Sequence, residues 1–441
     1  MRADDANDPA FPGLHGRPER GWINDPNGLS FIDGRYHVFF QCNPSSARHA
    51  AIKWGHASST DLVRWQQEPI ALHNRPGELD EFGCWTGCVV DDEGVPTAVY
   101  SGVLDDDGSS RVLLARSDRA MRVWHQDHTP AAGMPNDPAI TQTRDPFVFE
   151  FEGHRYGLQG AGSRRGKPHV LIYSCDDLSS WHLLGPFLTA DDPLAAALTS
   201  ANVWECPNLV QLDDRWVLLI SLWRQVDGEV VLDQVRYLLG DLSMGDGRPV
   251  FHPKSSGKLD TGPCFYAPQV LAGSGRALLW AWAREWGRSQ AEIDASGWAG
   301  TLTFPRELAL VGDVLTSRPA AELTALRGEP LDVTPGLPFA ATSFEIQSEA
   351  GAPTMTLHLV KGSHEETVAV WTPCRDPVSQ PTILVDGSII EIFDGGPTTH
   401  TTRAYPTTSP ARWVLRCPDS SVEVQGWRLH QPSLESIRGG C

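Results

Sequence analysis

The sequence predicts an all-β protein: a five-bladed β-propeller followed by a C-terminal β-sandwich. Three observations carry that expectation. Apolar runs of strand length recur along the chain, as in YHVFFQ (36–41), RVLLAR (111–116), RWVLLISLW (215–223) and ALLWAWA (277–283), with Gly, Asp, Asn and Pro between them at short intervals. Helical periodicity is scarce, and DDPLAAALTS (191–200) is the one tempting segment. Five stretches share one layout at a regular step.

Each stretch holds a polar or aromatic residue, an apolar strand, a turn with Gly or Asp, and a second apolar strand. They are NDPNGLSFIDGRYHVFF from Asn24, WTGCVVDDEGVPTAVYSG from Trp85, RDPFVFEFEGHRYGLQG from Arg144, ECPNLVQLDDRWVLLIS from Glu205 and FYAPQVLAGSGRALLWAWA from Phe265. Asp25, Trp85, Asp145, Glu205 and Phe265 mark steps of sixty residues, with room for four short strands per unit, which is the size of a propeller blade. The five units span residues 10–318. In a propeller the innermost strands line one channel, so matching positions of the repeats converge although they are far apart in sequence. Asp25, Asp145 and Glu205 read as three matching positions.

After PRELALVGDVLTSRP (305–319) the texture changes. Residues 319–339 read as a linker, with a short helix over 320–329 and a loop after it. From 340 to 441 come alternating strands such as TSFEIQS, TMTLHLV, ETVAVWT and GSIIEIFD, the pattern of a small antiparallel sandwich.

Composition bounds the function. The chain has 441 residues, 41% of them hydrophobic, enough for a sizeable core in each part. The formal net charge of −19 argues against nucleic acid and against an anionic membrane surface as partners. It fits a neutral small-molecule substrate. No window reaches the ~18 apolar residues of a membrane span. Nine cysteines (42, 84, 88, 175, 206, 264, 374, 417 and 441) are scattered over the chain without zinc-type spacing, so reduced thiols and no metal are expected. The N-terminal stretch MRADDANDPAFPG has no apolar h-region, and the chain reads as cytoplasmic.

Among 55 acidic residues, three stand out by context: Asp25 in WINDPNG, Asp145 in TRDP and Glu205 in WECPN. Each is embedded among apolar residues and lies next to or near a proline. Asp-Pro and Asn-Gly are also ordinary turn formers, but three acids in register ask for a shared purpose. Cleavage of a glycosidic bond needs one: a proton donor for the leaving oxygen and a second carboxylate for the oxocarbenium-like centre.

These strings also resemble a known family. GWINDPNG (21–28), RDP (144–146) and EC (205–206) are similar to the motifs of glycoside hydrolase family 32, as are FFQCNP (39–44), WGHASSTDLVRW (54–65), LDTGPCFYAPQ (259–269), GWAGTLTFPREL (297–308) and DGSIIEIF (386–393). The resemblance covers most of the chain. It implies a propeller followed by a sandwich, and a β-fructofuranosidase acting by retention on sucrose or short fructo-oligosaccharides. It also implies that no cofactor is needed. By the same resemblance Asp25 is the nucleophile, Glu205 the acid/base and Asp145 the transition-state stabiliser. Asn24, Gln41, Trp85 and Arg144 would contact the fructosyl unit, and Asp260 would lie near the leaving-group side. Cys206 would pack against the acid/base. Trp54 is either beside the pocket or a packed blade residue, and Trp282 is a further pocket candidate. His49 and Trp85 depart from residues frequent in the family's invertases, and both border the pocket. A fructan exohydrolase, a sucrose-6-phosphate hydrolase and a fructosyltransferase remain open. So do a non-catalytic sugar-binding propeller and a related arabinan- or xylan-cleaving enzyme.

Overall fold

The computed structural model describes residues 8–105, 110–163, 166–198, 200–273, 275–419 and 421–431. Its regular structure is almost entirely antiparallel strand. Five units of four strands follow one another. Their first strands are Gly21–Ile32, Gly83–Asp92, Gln142–Phe151, Val203–Leu212 and Phe265–Gly273. Within each unit the strands pair in chain order, and a single pairing between Gly162 and Val203 joins the third and fourth units into one sheet.

The hairpins follow from turn chemistry. Asp33 and Gly34 have φ of +50° and +77°, and Asp246 and Gly247 have +51° and +76°. Two successive positive φ values match the right-handed strand twist in a two-residue turn, and Asp-Gly tolerates them best. The units are held by apolar layers between neighbours. Phe39, Trp54, Tyr100 and Leu113 fill the space between the first two, and Cys88, Val99, Leu171 and Trp181 the next. Leu158, Trp204 and Leu218 lie between the third and fourth, and Leu219, Tyr237, Leu279 and Leu315 between the fourth and fifth. The layer containing Ile23, Phe40, Leu278 and Trp280 returns from the fifth to the first. Each first strand neighbours the first strand of the next unit, and Phe265–Gly273 neighbours Gly21–Ile32. That placement explains why Gly21–Ile32 is buried on both faces rather than in alternation.

The C-terminal part has two sheets. One runs Arg327–Pro330, Val424–Leu429, Ser343–Ser348, Thr382–Asp386, Ile389–Phe393 and Thr399–Arg403; the other runs Pro338–Ala341, Ala411–Arg416, Met355–Lys361 and His364–Trp371. Phe344, Ile346, Met355, Leu357, Ile390 and Trp413 fill the core between them.

Three local expectations change. The segment read as a linker holds a 3-10 turn at Ala321–Leu326, and its Arg327–Pro330 is an edge strand of the six-stranded sheet. DDPLAAALTS yields only the 3-10 turn Ala195–Leu198. The one α-helix among the described residues, Gln290–Ser296, was not anticipated; it is seven residues long and set by a capping box of Ser289 with Glu292 and by Gly297 at φ +74°. Among the described residues, no helix is long and apolar enough to cross a membrane.

The seam between the fifth unit and the C-terminal part is closed by charge. Arg306, fully buried, donates to Asp260 at 2.9 Å and to Glu391 at 2.7 Å. His15 lies between Asp386 at 2.7 Å and Glu391 at 3.2 Å.

Candidate active site

Every first strand breaks register at the same level. The breaks fall between Ile23 and Pro26, Trp85 and Gly87, Arg144 and Phe147, Glu205 and Asn208, and Tyr266 and Gln269. Four of them contain an X-Pro step: Asp25-Pro26, Asp145-Pro146, Cys206-Pro207 and Ala267-Pro268. Proline has no N–H to offer a ladder, so a bulge is where a central strand tolerates it. Asp145, Cys206 and Ala267 share left-handed φ values of +59°, +50° and +47°.

This corrects the repeat register. The proline step aligns Asp25 and Asp145 with Cys206, and aligns Glu205 with Arg144 and Tyr266 one residue earlier. The three acids do meet, but Glu205 arrives from a different position than the two aspartates. The physical reason is the bulge, which breaks strict alternation and lets both Arg144 and Asp145 line the pocket.

The pocket is a cleft of about 780 Å³, part of it open to solvent. Asp25, Asp145 and Glu205 all line it, together with Asn24, Gln41, His49, Trp85, Arg144 and Trp282. Asp25 Oδ1 accepts from Asn24 Nδ2 at 3.2 Å, and Oδ2 accepts from Gln41 Nε2 at 3.1 Å and Thr86 Oγ1 at 2.5 Å. Burial, with the Glu205 charge adding to it against the Thr86 and Asn24 bonds, pushes its carboxyl up to about 6. Asp145, 4% exposed, accepts from the Cys206 backbone N–H at 2.8 Å through Oδ2. Burial and then the Glu205 charge hold it well above the usual carboxylate range, against the opposing Arg144. Glu205 is 9% exposed and has both oxygens engaged. Oε1 accepts from Arg144 Nη1 at 2.9 Å, and Oε2 from the Tyr266 hydroxyl at 2.8 Å. Arg144 also donates to Gln142 at 2.9 Å and lies 5.3 Å from the Trp85 ring centre and 5.8 Å from that of Trp223.

Aromatic rings border the opening: Trp22 meets Trp282 at 5.6 Å and His49 at 5.9 Å, and His49 meets Trp85 at 5.6 Å between ring centres. The hairpin joining Arg215–Val226 to Glu229–Gly245 adds Trp223, Val230 and Leu232, with Val230 55% exposed.

Three predicted residues sit elsewhere. Asp260 is not at the leaving-group side; it is sealed in the seam, where Arg306, Thr399, Thr401 and the Gly262 N–H all donate to it. A carboxylate with its lone pairs so committed has none to give a ligand. Trp54 is a packed residue with no exposure; its Nε1 donates to the Trp85 carbonyl at 3.0 Å and its ring meets Phe39 and Tyr100. Cys206 backs onto the two aspartates rather than the acid/base, with Sγ 3.4 Å from Asp145 and 3.7 Å from Asp25. Burial and those carboxylates keep its thiol protonated. Eight described cysteines are free, and among the described residues no three candidate ligands cluster around a metal position.

The sequence reading missed Trp22, Tyr266, Trp223, Val230 and Leu232. Tyr266 had a findable signal: it precedes the proline step of its unit, as Arg144 and Glu205 precede theirs. The residues of the hairpin had none.

A pocket holding three carboxylates beside a guanidinium and a wall of aromatic rings defines the class: enzymes that cleave glycosidic bonds. The comparisons name the family. The description "Glycosyl hydrolases family 32 N-terminal domain" matches residues 15–319, and "Glycosyl hydrolases family 32 C terminal" matches 342–426, so the chain belongs to glycoside hydrolase family 32. It is similar to a sucrose-6-phosphate hydrolase of Zymomonas mobilis, 31% identical over 94% of this chain and 83% of the relative. It is also similar to a raffinose invertase of Escherichia coli, 36% identical over 72% of this chain and 66% of the relative. Among solved structures, a family 32 β-fructofuranosidase of Bombyx mori superposes with a TM-score of 0.82 at 25% identity, over 97% of this chain and 96% of that one.

Proposed function

We propose that the chain is a retaining β-fructofuranosidase. It removes the terminal non-reducing β-D-fructofuranosyl unit of sucrose or a short fructo-oligosaccharide. The observation that carries this reading is the meeting of Asp25, fixed by three side-chain donors, with Glu205 from the first strand of the fourth unit in the same pocket. Asp25 attacks the anomeric carbon while Glu205 protonates the leaving oxygen. Water then enters, Glu205 takes its proton, and the Asp25 ester is displaced. Asp145, anchored through Oδ2, offers Oδ1 to the fructosyl hydroxyls. In this reading the five units close into a propeller over residues 10–318. A sandwich from residue 340 follows, with Arg327–Pro330 of the 319–339 segment as its edge; residues 432–441 of the expected 340–441 span lie outside the described residues.

A neutral substrate is favoured over a phosphorylated one. Among the described residues Arg144 is the one cation lining the pocket, and it is committed to Glu205 and Gln142. Arg48 pairs with Asp294, and Lys53 donates to Asn74. Several relatives are named sucrose-6-phosphate hydrolases, so the deciding measurement is kcat/KM across sucrose, sucrose 6-phosphate, raffinose, inulin and levan. Sucrose should lead. A tenfold preference for the phosphorylated sugar or a polymer overturns the substrate while leaving the mechanism. NMR of the first-formed fructose should show the β-anomer; the α-anomer would refute retention. The acid limb of kcat/KM should fall near pH 6, because Asp25 must be ionised to attack and its carboxyl titrates there.

A further inference from the structure

Glu205 has its two oxygens held by chemically different partners. Arg144 donates to Oε1, and a guanidinium has no lone pair with which to accept a proton in return. Tyr266 Oη lies 2.8 Å from Oε2, and a hydroxyl can donate or accept. Oε2 is therefore the oxygen that can take the working proton of Glu205 and keep its partner. We propose that Tyr266 is the positioning residue that manages this proton: its hydroxyl donates to Oε2 when Glu205 is ionised and turns to accept when Glu205 is protonated. This rests on the reading of Glu205 as acid/base and deepens it.

The energetics give the bond a direction. Glu205 shares the pocket with Asp25 and Asp145, and Arg144 and Tyr266 both donate to it. Tyr266 itself is 2% exposed, and burial together with the Glu205 charge holds its phenol well above the usual range. It therefore keeps its own proton throughout and is never itself the acid. The benefit falls on the second half of the reaction. Once the leaving group has taken the Oε2 proton, the carboxylate must persist until water arrives, and the Tyr266 O–H is the contact that sustains it on that oxygen. Water's hydroxide then bonds to the anomeric carbon, the bond to Asp25 breaks, and Oε2 regains a proton.

The test is Tyr266→Phe, which keeps the ring and removes only the hydroxyl. Three results are expected. The basic limb of kcat/KM for sucrose moves upward by about one pH unit, the scale of a lost hydrogen bond to a charged group. kcat falls by ~10-fold and KM falls with it, because hydrolysis of the fructosyl-enzyme becomes the slow step. Azide, which needs no base, restores turnover and yields fructosyl azide. A uniform loss at every pH, with the basic limb unmoved, would show that Tyr266 merely packs and would overturn the proposal; so would an unchanged kcat or a failure of azide to restore turnover. Glu205→Ala is run alongside on an aryl β-fructofuranoside, whose phenolate leaves without an acid, so that only the base-dependent second step is slow. If azide does not rescue that variant either, the assignment of Glu205 has failed. If azide rescues Glu205→Ala while Tyr266→Phe behaves as wild type, only the role of Tyr266 has.

Discussion

Three carboxylates are buried in the pocket and three more at the seam, yet burial has opposite outcomes for Asp25 and Asp145 in the one and for Asp260 and Glu391 in the other. In the pocket, Asp25, Asp145 and Glu205 share one cation, Arg144, and both aspartates are pushed up. At the seam, Asp260, Glu391 and Asp386 face Arg306 and His15. Burial pushes Asp260 and Glu391 up there too, but the Arg306 charge and the surrounding donors outweigh it and hold both below the usual range. Burial also works against a charged His15, and the bonds to Asp386 and Glu391 outweigh it, leaving its pKa raised. Depth is therefore not what separates the two regions. The seam is nearly balanced in charge and serves to hold two parts together, whereas the pocket is left short of cations and keeps groups that can exchange protons.

The widest break in this comparison comes from the pocket acids. Asp25→Asn and Glu205→Gln should each lower kcat by ~10²–10⁴-fold or more, and Asp145→Asn comparably. An Asp25 variant of near-full activity would remove it as nucleophile. The seam should answer in stability rather than rate. Arg306→Met strands Asp260 and Glu391 without their cation, and denaturant unfolding should register a loss of about 3–5 kcal/mol. A loss below ~1 kcal/mol would show that the seam is not held by this pairing.

A subtler test uses pH. The folded Asp25 ionises near 6 and the unfolded one near its ordinary value of 3.8, so ionisation favours unfolding across that interval. Asp25→Asn should thus be more stable than the parent at pH 7, by ~1–3 kcal/mol, with the gap closing below pH 4. The seam carries the opposite sign. The contribution of Asp260 and Glu391 is present above the ordinary carboxylate range and is lost as pH falls through their lowered values. That of His15 is complete below 6.5 and lost as pH rises through its raised one. Asp25→Asn proving less stable at pH 7 would contradict the pocket half of the contrast. The smallest effect belongs to the surface: Arg48→Ala, in an ion pair whose side chains are 56% and 42% exposed, should change stability by less than ~0.5 kcal/mol.

The sequence by itself determined the strand-rich class, the five units and the three acids, because these are written locally. Strand pattern, turn residues and the Asp-Pro and Glu-Cys-Pro strings lie within a few positions of one another. Only the tertiary structure decided what each residue faces. Asp260 and Glu391 are 131 positions apart and meet through Arg306, so no local signal separates a seam carboxylate from a pocket one. Trp54 and Trp85 look alike as tryptophans, but one is sealed behind the other's backbone. The register of Glu205 against the aspartates was lost for the same reason. A bulge adds one residue to a strand, and whether that residue turns inward depends on the neighbouring strand rather than on the chain that carries it.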